Sequence, residues 1–383
     1  MSPEPTVFIS AGEASGDRYA GRLARQLRRR VPGARLLGLG GTRMEAAGVE
    51  LLARLDRLAV MGVAELAGHL PYFLRLRRRV RSRMIREDVD LLVAVDYPGF
   101  NLPLARFASR RGAAVLYYAP PQVWAWRRSR ARLVADSSDR VCTILPFAAG
   151  PLRQAGAAVD FVGHPLLDEV DAGSVETGER AESVEADEPG RPLPPRLGLF
   201  PGSREQEVRR MLPPMLGAAR RLRSRFPELE VAVARARDVP DGAYRAAGAA
   251  PRRAAAEVAR DSTAALAASG TVTLELALHA TPMAVGYRMH PLTFALARRL
   301  VRVEHVSLVN LIHGSGLVPE LLQGEATAER MAAAVAPLLS PGDERERVLR
   351  GLARVRRRLG RPGVAGRVAD RCAGLLDRSR RAA

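Results

Sequence analysis

Short runs of unbroken apolar residues recur along this chain, each closing on glycine, proline or an acid before the pattern turns helical. VFISAG (7–12) leads into a helical stretch over 16–30, and RLLGLGG (35–41) follows. LLVAVD (91–96), with a helical stretch near 101–111, AVLYYAP (114–120), RVCTILP (140–146) and VDFVGHP (159–165) complete a first series. Strands that are apolar on both faces need helices on both faces, the pattern of a parallel, doubly wound sheet. Residues 168–190 break it: this stretch is acidic, rich in Gly, Ser and Glu, and nearly devoid of large apolar residues, and reads as a linker. A second series then runs through RLGLFPGSR (196–204), a helix over 205–226, ELEVAVAR (228–235), AALAASGTVTLELAL (264–278) and PMAVGYR (282–288). At 383 residues one core is too few. The expected fold is therefore α/β, with two Rossmann-like doubly wound parallel-sheet domains facing a cleft. The expected divisions are 1–168, an acidic linker over 169–190, 191–345, and a C-terminal helical segment over 346–383.

The charge is unusual: 60 Lys+Arg against 41 Asp+Glu give +19, nearly all of the cation being arginine. Such an excess fits a polyanionic partner, whether nucleic acid, anionic lipid or phosphorylated substrate; a GC-rich genome produces the same bias. Aromatics at 5% speak against a single-strand nucleic-acid binder, which needs stacking platforms. Apolar runs fall short of the ~18 residues of a membrane span, and MSPEPTVFIS enters a strand without a basic leader. Two cysteines, Cys142 and Cys372, suit a reducing cytoplasm and make neither a disulfide framework nor a zinc site.

Candidate chemistry collects where strands end. In SAGEASGD (10–17), Gly12 and Gly16 allow a tight strand-to-helix turn, with Ser15 and Asp17 either capping the helix or lining the cleft as acceptor residues that bind hydroxyls. The dinucleotide spacing G-x-G-x-x-G is absent, and Glu13 puts negative charge where a pyrophosphate would sit. Asp96 closes the LLVAVD strand; its plain alternative is a helix cap or a salt-bridge partner. With Glu13 it forms a pair of acids suited to deprotonating a sugar hydroxyl. Asp88 and Asp90 precede their strand and read as a solvated entry rather than a metal pair. In LFPGSREQEV (199–208), Gly202, Ser203 and Arg204 offer free backbone amides and a guanidinium to a diphosphate. In AASGTVTLE (267–275), Ser269, Gly270 and Thr271 allow close backbone approach, and Glu275 could accept from a ribose diol; the plain alternative is a buried Ala-rich helix.

Over 70–85, Phe73, Leu76, Val80 and Met84 form one helical stripe while arginines, Arg77 among them, crowd the rest. The helix either lies on an anionic bilayer through Phe73, Leu76, Arg77 and Val80, or packs on the sheet; the apolar stretch 56–70 before it favours the membrane. His164, at a strand end, either reaches the cleft or is a satisfied turn residue. Trp124 and Trp126 either wall an acyl or sugar pocket or pack in the core. No metal-ligand spacing is present.

Taken together, SAGEASGD (10–17), LAVMGVAE (58–65), the Asp96–Asn101 segment, PPQVWAWR (120–127), FVGHPLLD (161–168), LFPGSREQEV, LAASGTVTLE, VGYRMHPLTFALARRLV (285–301) and VSLVNLI (306–312) resemble the lipid-A-disaccharide synthase family. The resemblance runs in order from residue 7 to about 345. It implies an inverting, metal-independent glycosyltransferase of GT-B architecture that needs no cofactor and works at the cytoplasmic face of the inner membrane. The implied substrates are UDP-2,3-diacylglucosamine and 2,3-diacylglucosamine 1-phosphate, giving a β-1,6 disaccharide phosphate and UDP. It further implies a homodimer exchanging C-terminal segments, with those helices meeting a first domain, and a nucleotide-site role for Asn310. Gly99 stands where some members carry a second acid. Against this stand another GT-B-fold UDP-sugar enzyme, an epimerase or peptidoglycan-type transferase, and a non-enzymatic arginine-rich module binding anionic membrane or nucleic acid.

Overall fold

The computed structural model describes residues 4–54, 70–123, 129–170, 194–236, 239–249, 253–289, 294 and 304–382. Trp124, Trp126, most of the 56–70 stretch and nearly all of the acidic linker lie outside them. The chain divides into two compact units: residues up to Asp168 together with those from Arg361 onward, and the residues Glu169–Gly360.

The first unit is built on seven strands: β1 (Thr6–Ala11), β2 (Arg35–Gly40), β3 (Glu50–Arg54), β4 (Leu91–Val95), β5 (Ala114–Tyr118), β6 (Arg140–Thr143) and β7 (Val159–Phe161). They lie in the order β3-β2-β1-β4-β5-β6-β7, and every pairing is parallel. The order reverses between β1 and β4, where Ala11 pairs with Val95. In an open parallel sheet that crevice, at the carboxyl ends of the strands, is where ligands bind. The central strands β1 and β4 are largely apolar because both faces are covered. Val7, Ile9, Val93 and Val95 share one core with the Ala14–Arg30 and Val364–Ala382 helices. Phe8, Leu37 and Leu92 share another with the Leu70–Arg86 and Pro98–Arg110 helices. Each such buried side chain contributes about 1.5–3 kcal/mol relative to exposure.

The entry edge is pinned by Asp90, whose carboxylate accepts from Thr6 N at 2.7 Å. The aspartate is thus a tie between β4 and β1 rather than a free solvated entry.

The second unit holds β8 (Arg196–Phe200), β9 (Glu230–Arg235), β10 (Arg253–Ala254), β11 (Ala264–Ala268), β12 (Met283–Tyr287) and β13 (Glu320–Leu322). Their order is β10-β9-β8-β11-β12-β13, again all parallel, with the reversal between β8 and β11. The edge strands β3, β10 and β13 are short or carry charged ends, so no apolar run announces them. The Asp343–Arg358 helix stays with this unit, which therefore extends to Gly360 and not to 345. Its arginines fasten it there: Arg345 donates to Thr263 O and Leu338 O, and Arg358 to Ile312 O and His313 O. Of the two C-terminal helices only Val364–Ala382 returns to the first unit of its own chain.

Candidate active site

In the first unit the crevice between β1 and β4 carries Gly12, Glu13 and Asp96. A Cβ on Gly12 would overlap the ring of Tyr97, so glycine is required there. Glu13 is exposed at the start of the Ala14–Arg30 helix, and its carboxylate does not cap that helix. Asp96 and Tyr97 both take left-handed backbone, φ 48° and 49°. That conformation costs a non-glycine residue about 1–2 kcal/mol, and here it turns the chain from β4 into the Pro98–Arg110 helix. Tyr97 stacks on Phe100 with centroids 6.0 Å apart. The Asp96 carboxyl is pushed up to about 6, first by burial and then by the negative charge of Glu13; the Tyr97 backbone N–H opposes both. Burial and Glu13 also push the Tyr97 phenol up, to about 12.

The other residues expected around this crevice divide. Ser15 is half-buried in the first helical turn. Asp17 is buried, and its carboxylate accepts from Gly41 N (2.7 Å), Arg43 N (3.0 Å) and Met44 N (3.1 Å). It caps the Thr42–Glu45 turn and is unavailable to a ligand, a correction to its placement among the acceptor residues. His164 is likewise corrected. Its ring is buried edge-on to Tyr19, Nδ1 accepts from Leu166 N, and burial followed by Arg18 lowers its pKa to about 4. Trp124 lies outside the described residues.

The expected membrane stripe is also redrawn. Leu76 and Val80 are 2% and 0% exposed and belong to the core beneath the helix, so they offer nothing to a bilayer. Phe73 is half-buried against Tyr72, and Arg77 is half-buried. The outward face instead presents Leu74 and Ile85, 39% and 49% exposed, among Arg75, Arg78, Arg79 and Arg86. Among the described residues no helix is long and apolar enough to cross a membrane.

In the second unit the turns after β8 and β11 are neighbours, Phe200 pairing with Ala267. Gly202 sits at φ 126°, a value that favours glycine. The amides of this turn are not free: Glu207 accepts from Ser203 N (2.9 Å) and Arg204 N (3.3 Å). The Arg204 side chain is 76% exposed, with its guanidinium 3.8 Å from Glu207. Ser269 Oγ donates to Val306 O, and Gly270 has open space on its Cβ side. Thr271 is exposed and Glu275 half-buried one turn on.

Asn310 is buried, with Oδ1 accepting from Val318 N and Nδ2 donating to Val318 O and Glu320. Its side chain is therefore spent on the 318–320 segment and is not presented at the surface. Glu320 also accepts from Val306 N and Ser307 N. The pair thereby holds the 306–307 backbone that Ser269 touches. Sequence reasoning missed Glu207 and Glu320. Glu207 was findable as the acid at the third helical position of a capping box.

Among the described residues no group of three or more His, Cys, Asp or Glu is placed to hold a metal. A family model described as lipid-A-disaccharide synthetase matches residues 7–357. The lipid-A-disaccharide synthase of Geobacter metallireducens is 39% identical over 391 residues, spanning 99% of each chain. Among solved structures, MnaA of S. aureus with UDP superposes at a TM-score of 0.65, with 11% identity and 97% of each chain covered. The calicheamicin glycosyltransferase CalG4 does so at 0.60, with 16% identity and 99% of each covered. These two likenesses extend to the fold, the two-Rossmann arrangement of GT-B proteins.

Proposed function

The chain belongs to the lipid-A-disaccharide synthase family and is a glycosyltransferase forming the lipid A disaccharide, and on that premise we propose that Asp96 is its general base. Asp96 takes the proton from the 6-hydroxyl of 2,3-diacylglucosamine 1-phosphate as that oxygen attacks the anomeric carbon of UDP-2,3-diacylglucosamine. The C1–O bond to the diphosphate breaks with inversion, leaving a β-1,6 link and UDP. The observation that carries the reading is a carboxylate at the β1–β4 reversal with its pKa raised to about 6. A base poised near working pH contributes roughly 10²–10⁴-fold. Glu13, whose charge helps to raise Asp96, orients the acceptor. In the second unit the Arg204 guanidinium and the backbone at Gly270–Thr271 stabilise the charge developing on the leaving diphosphate, Gly202 shapes the turn that presents Arg204, Ser269 ties the neighbouring loop, Glu275 receives the ribose, and Asn310 holds the loop beneath.

The outward face of the Leu70–Arg86 helix is the surface for the anionic inner membrane, each arginine adding about 1 kcal/mol near the headgroups. Exchange of the Val364–Ala382 helix between two copies would give the family-type dimer. The test supplies both acylated glucosamines and reads UDP release together with disaccharide. Asp96→Asn is expected to lower kcat by about 10²–10⁴ with the fold intact, and near-normal turnover rejects the assignment. Equal use of non-acylated UDP-N-acetylglucosamine would favour an epimerase or peptidoglycan-type enzyme.

A further inference from the structure

Asp96 is braced through its main chain by residues with no assigned role. Asn101 is 0% exposed in the second turn of the Pro98–Arg110 helix. Its Nδ2 donates to Asp96 O (2.8 Å), Val95 O (3.1 Å) and Ser10 O (3.1 Å), while its Oδ1 accepts from Ser10 Oγ at 2.6 Å. From the other side the Tyr117 hydroxyl, on β5, donates to Asp96 O at 3.0 Å. Asp96 N donates to Tyr118 O. The Pro98–Arg110 helix and β5 thus both hold the Asp96 main chain, and β1 joins them through Asn101, at a turn whose left-handed geometry would otherwise relax. A buried amide with both ends engaged is a rigid spacer, because any shift leaves a polar group unpaired.

We propose that Asn101 and Tyr117 are positioning residues that lock Asp96 in the left-handed turn and so keep its carboxylate in the half-buried place from which it acts. The inference rests on the reading of Asp96 as base. Without the brace the Asp96–Tyr97 pair slips toward ordinary backbone, and the carboxylate gains water. The charged side chains that act on Asp96 or on the brace are Glu13 and, through Tyr117, Arg130, while Tyr97 reaches Asp96 through its backbone N–H.

The experiment measures kcat, donor KM and the pH dependence of kcat/KM for wild type, Asp96→Asn, Tyr117→Phe and Asn101→Ala, with melting temperatures alongside. Tyr117→Phe removes one hydroxyl and keeps the ring, so it folds even where Asn101→Ala does not. The expected result is a fall in kcat of at least about threefold in Tyr117→Phe and tenfold in Asn101→Ala, with donor KM within about twofold. The acid limb near pH 6 moves to lower pH as burial is lost. Lower melting temperatures with the acid limb unmoved would mean a structural role only and overturn the inference. A wild-type profile in Tyr117→Phe overturns it as well. Turnover retained by Asp96→Asn removes the base reading itself, a result separable from the other two.

Discussion

The burial that raises the Asp96 carboxyl is also a burden on the fold. Raised to about 6, the group keeps a proton in the native state that the unfolded chain has lost above its ordinary value of 3.8. Between roughly pH 4 and 6 the native state therefore binds more protons, and stability falls as pH rises through that window. Above it the penalty is fully present. Asp96→Asn is thus expected to stabilise the protein at pH 8 by on the order of 2 kcal/mol, and the gain should vanish near pH 4. Denaturant unfolding at the two pH values measures this, and an equal effect at both would mean the group does not titrate in the window. Asp96 and Glu13 were legible in the sequence because each closes an apolar strand. Asn101 and Tyr117 were not, since their convergence depends on the register that sets Ala94 beside Tyr117 and on the turn of the next helix. Asp17 and His164 differ for the opposite reason: a place just beyond a strand does not give the direction of the side chain.

At the scale of the element, the Leu70–Arg86 helix shows what periodicity can and cannot tell. The stripe Leu76, Val80 and Met84 is real, but it faces Phe8, Leu92 and the neighbouring helix, not lipid. A sequence gives the apolar face and not what covers it. Arginine likewise has a use that a count of charge does not show. Many of these side chains end on backbone carbonyls, as Arg356 on Leu278 O, Arg347 on Leu317 O and Arg22 on Asp168 O. There they satisfy groups that helix and strand ends leave open. Both faces of the helix can be tested separately. Leu76→Ala should lower stability by about 2–5 kcal/mol with vesicle binding unchanged in the folded fraction. The pair Leu74→Ser and Ile85→Ser should leave the unfolding midpoint nearly unmoved and weaken co-sedimentation with phosphatidylglycerol vesicles. Undiminished binding by that pair would place the membrane contact elsewhere.

For the whole molecule the decisive contact joins the point where the chain leaves the first unit to the point where it returns. Asp168 accepts from Gly363 N (2.6 Å), Val364 N (3.1 Å) and Ala365 N (3.1 Å), capping the returning helix across almost two hundred residues of sequence. Below that cap, Val364, Val368, Cys372 and Leu376 enter the core of β1 and β4. Arg30 pairs with Asp370, Arg371 with Asp160, and Arg367 donates to Val162 O. The first unit therefore lacks a wall until the chain has been completed, a dependence no local pattern in residues 1–168 could reveal. Removing the cap should loosen this helix before anything else. Asp168→Ala is expected to lower stability by about 1–2 kcal/mol and to speed amide exchange along Val364–Ala382 more than along Asp343–Arg358. The second helix is an internal control, since its anchors at Thr263 and Ile312 belong to the other unit. Asp168→Asn, which retains an acceptor, should recover most of the loss. Exchange that rises equally in both helices would mean that the carboxylate supports the fold generally and does not latch the returning segment.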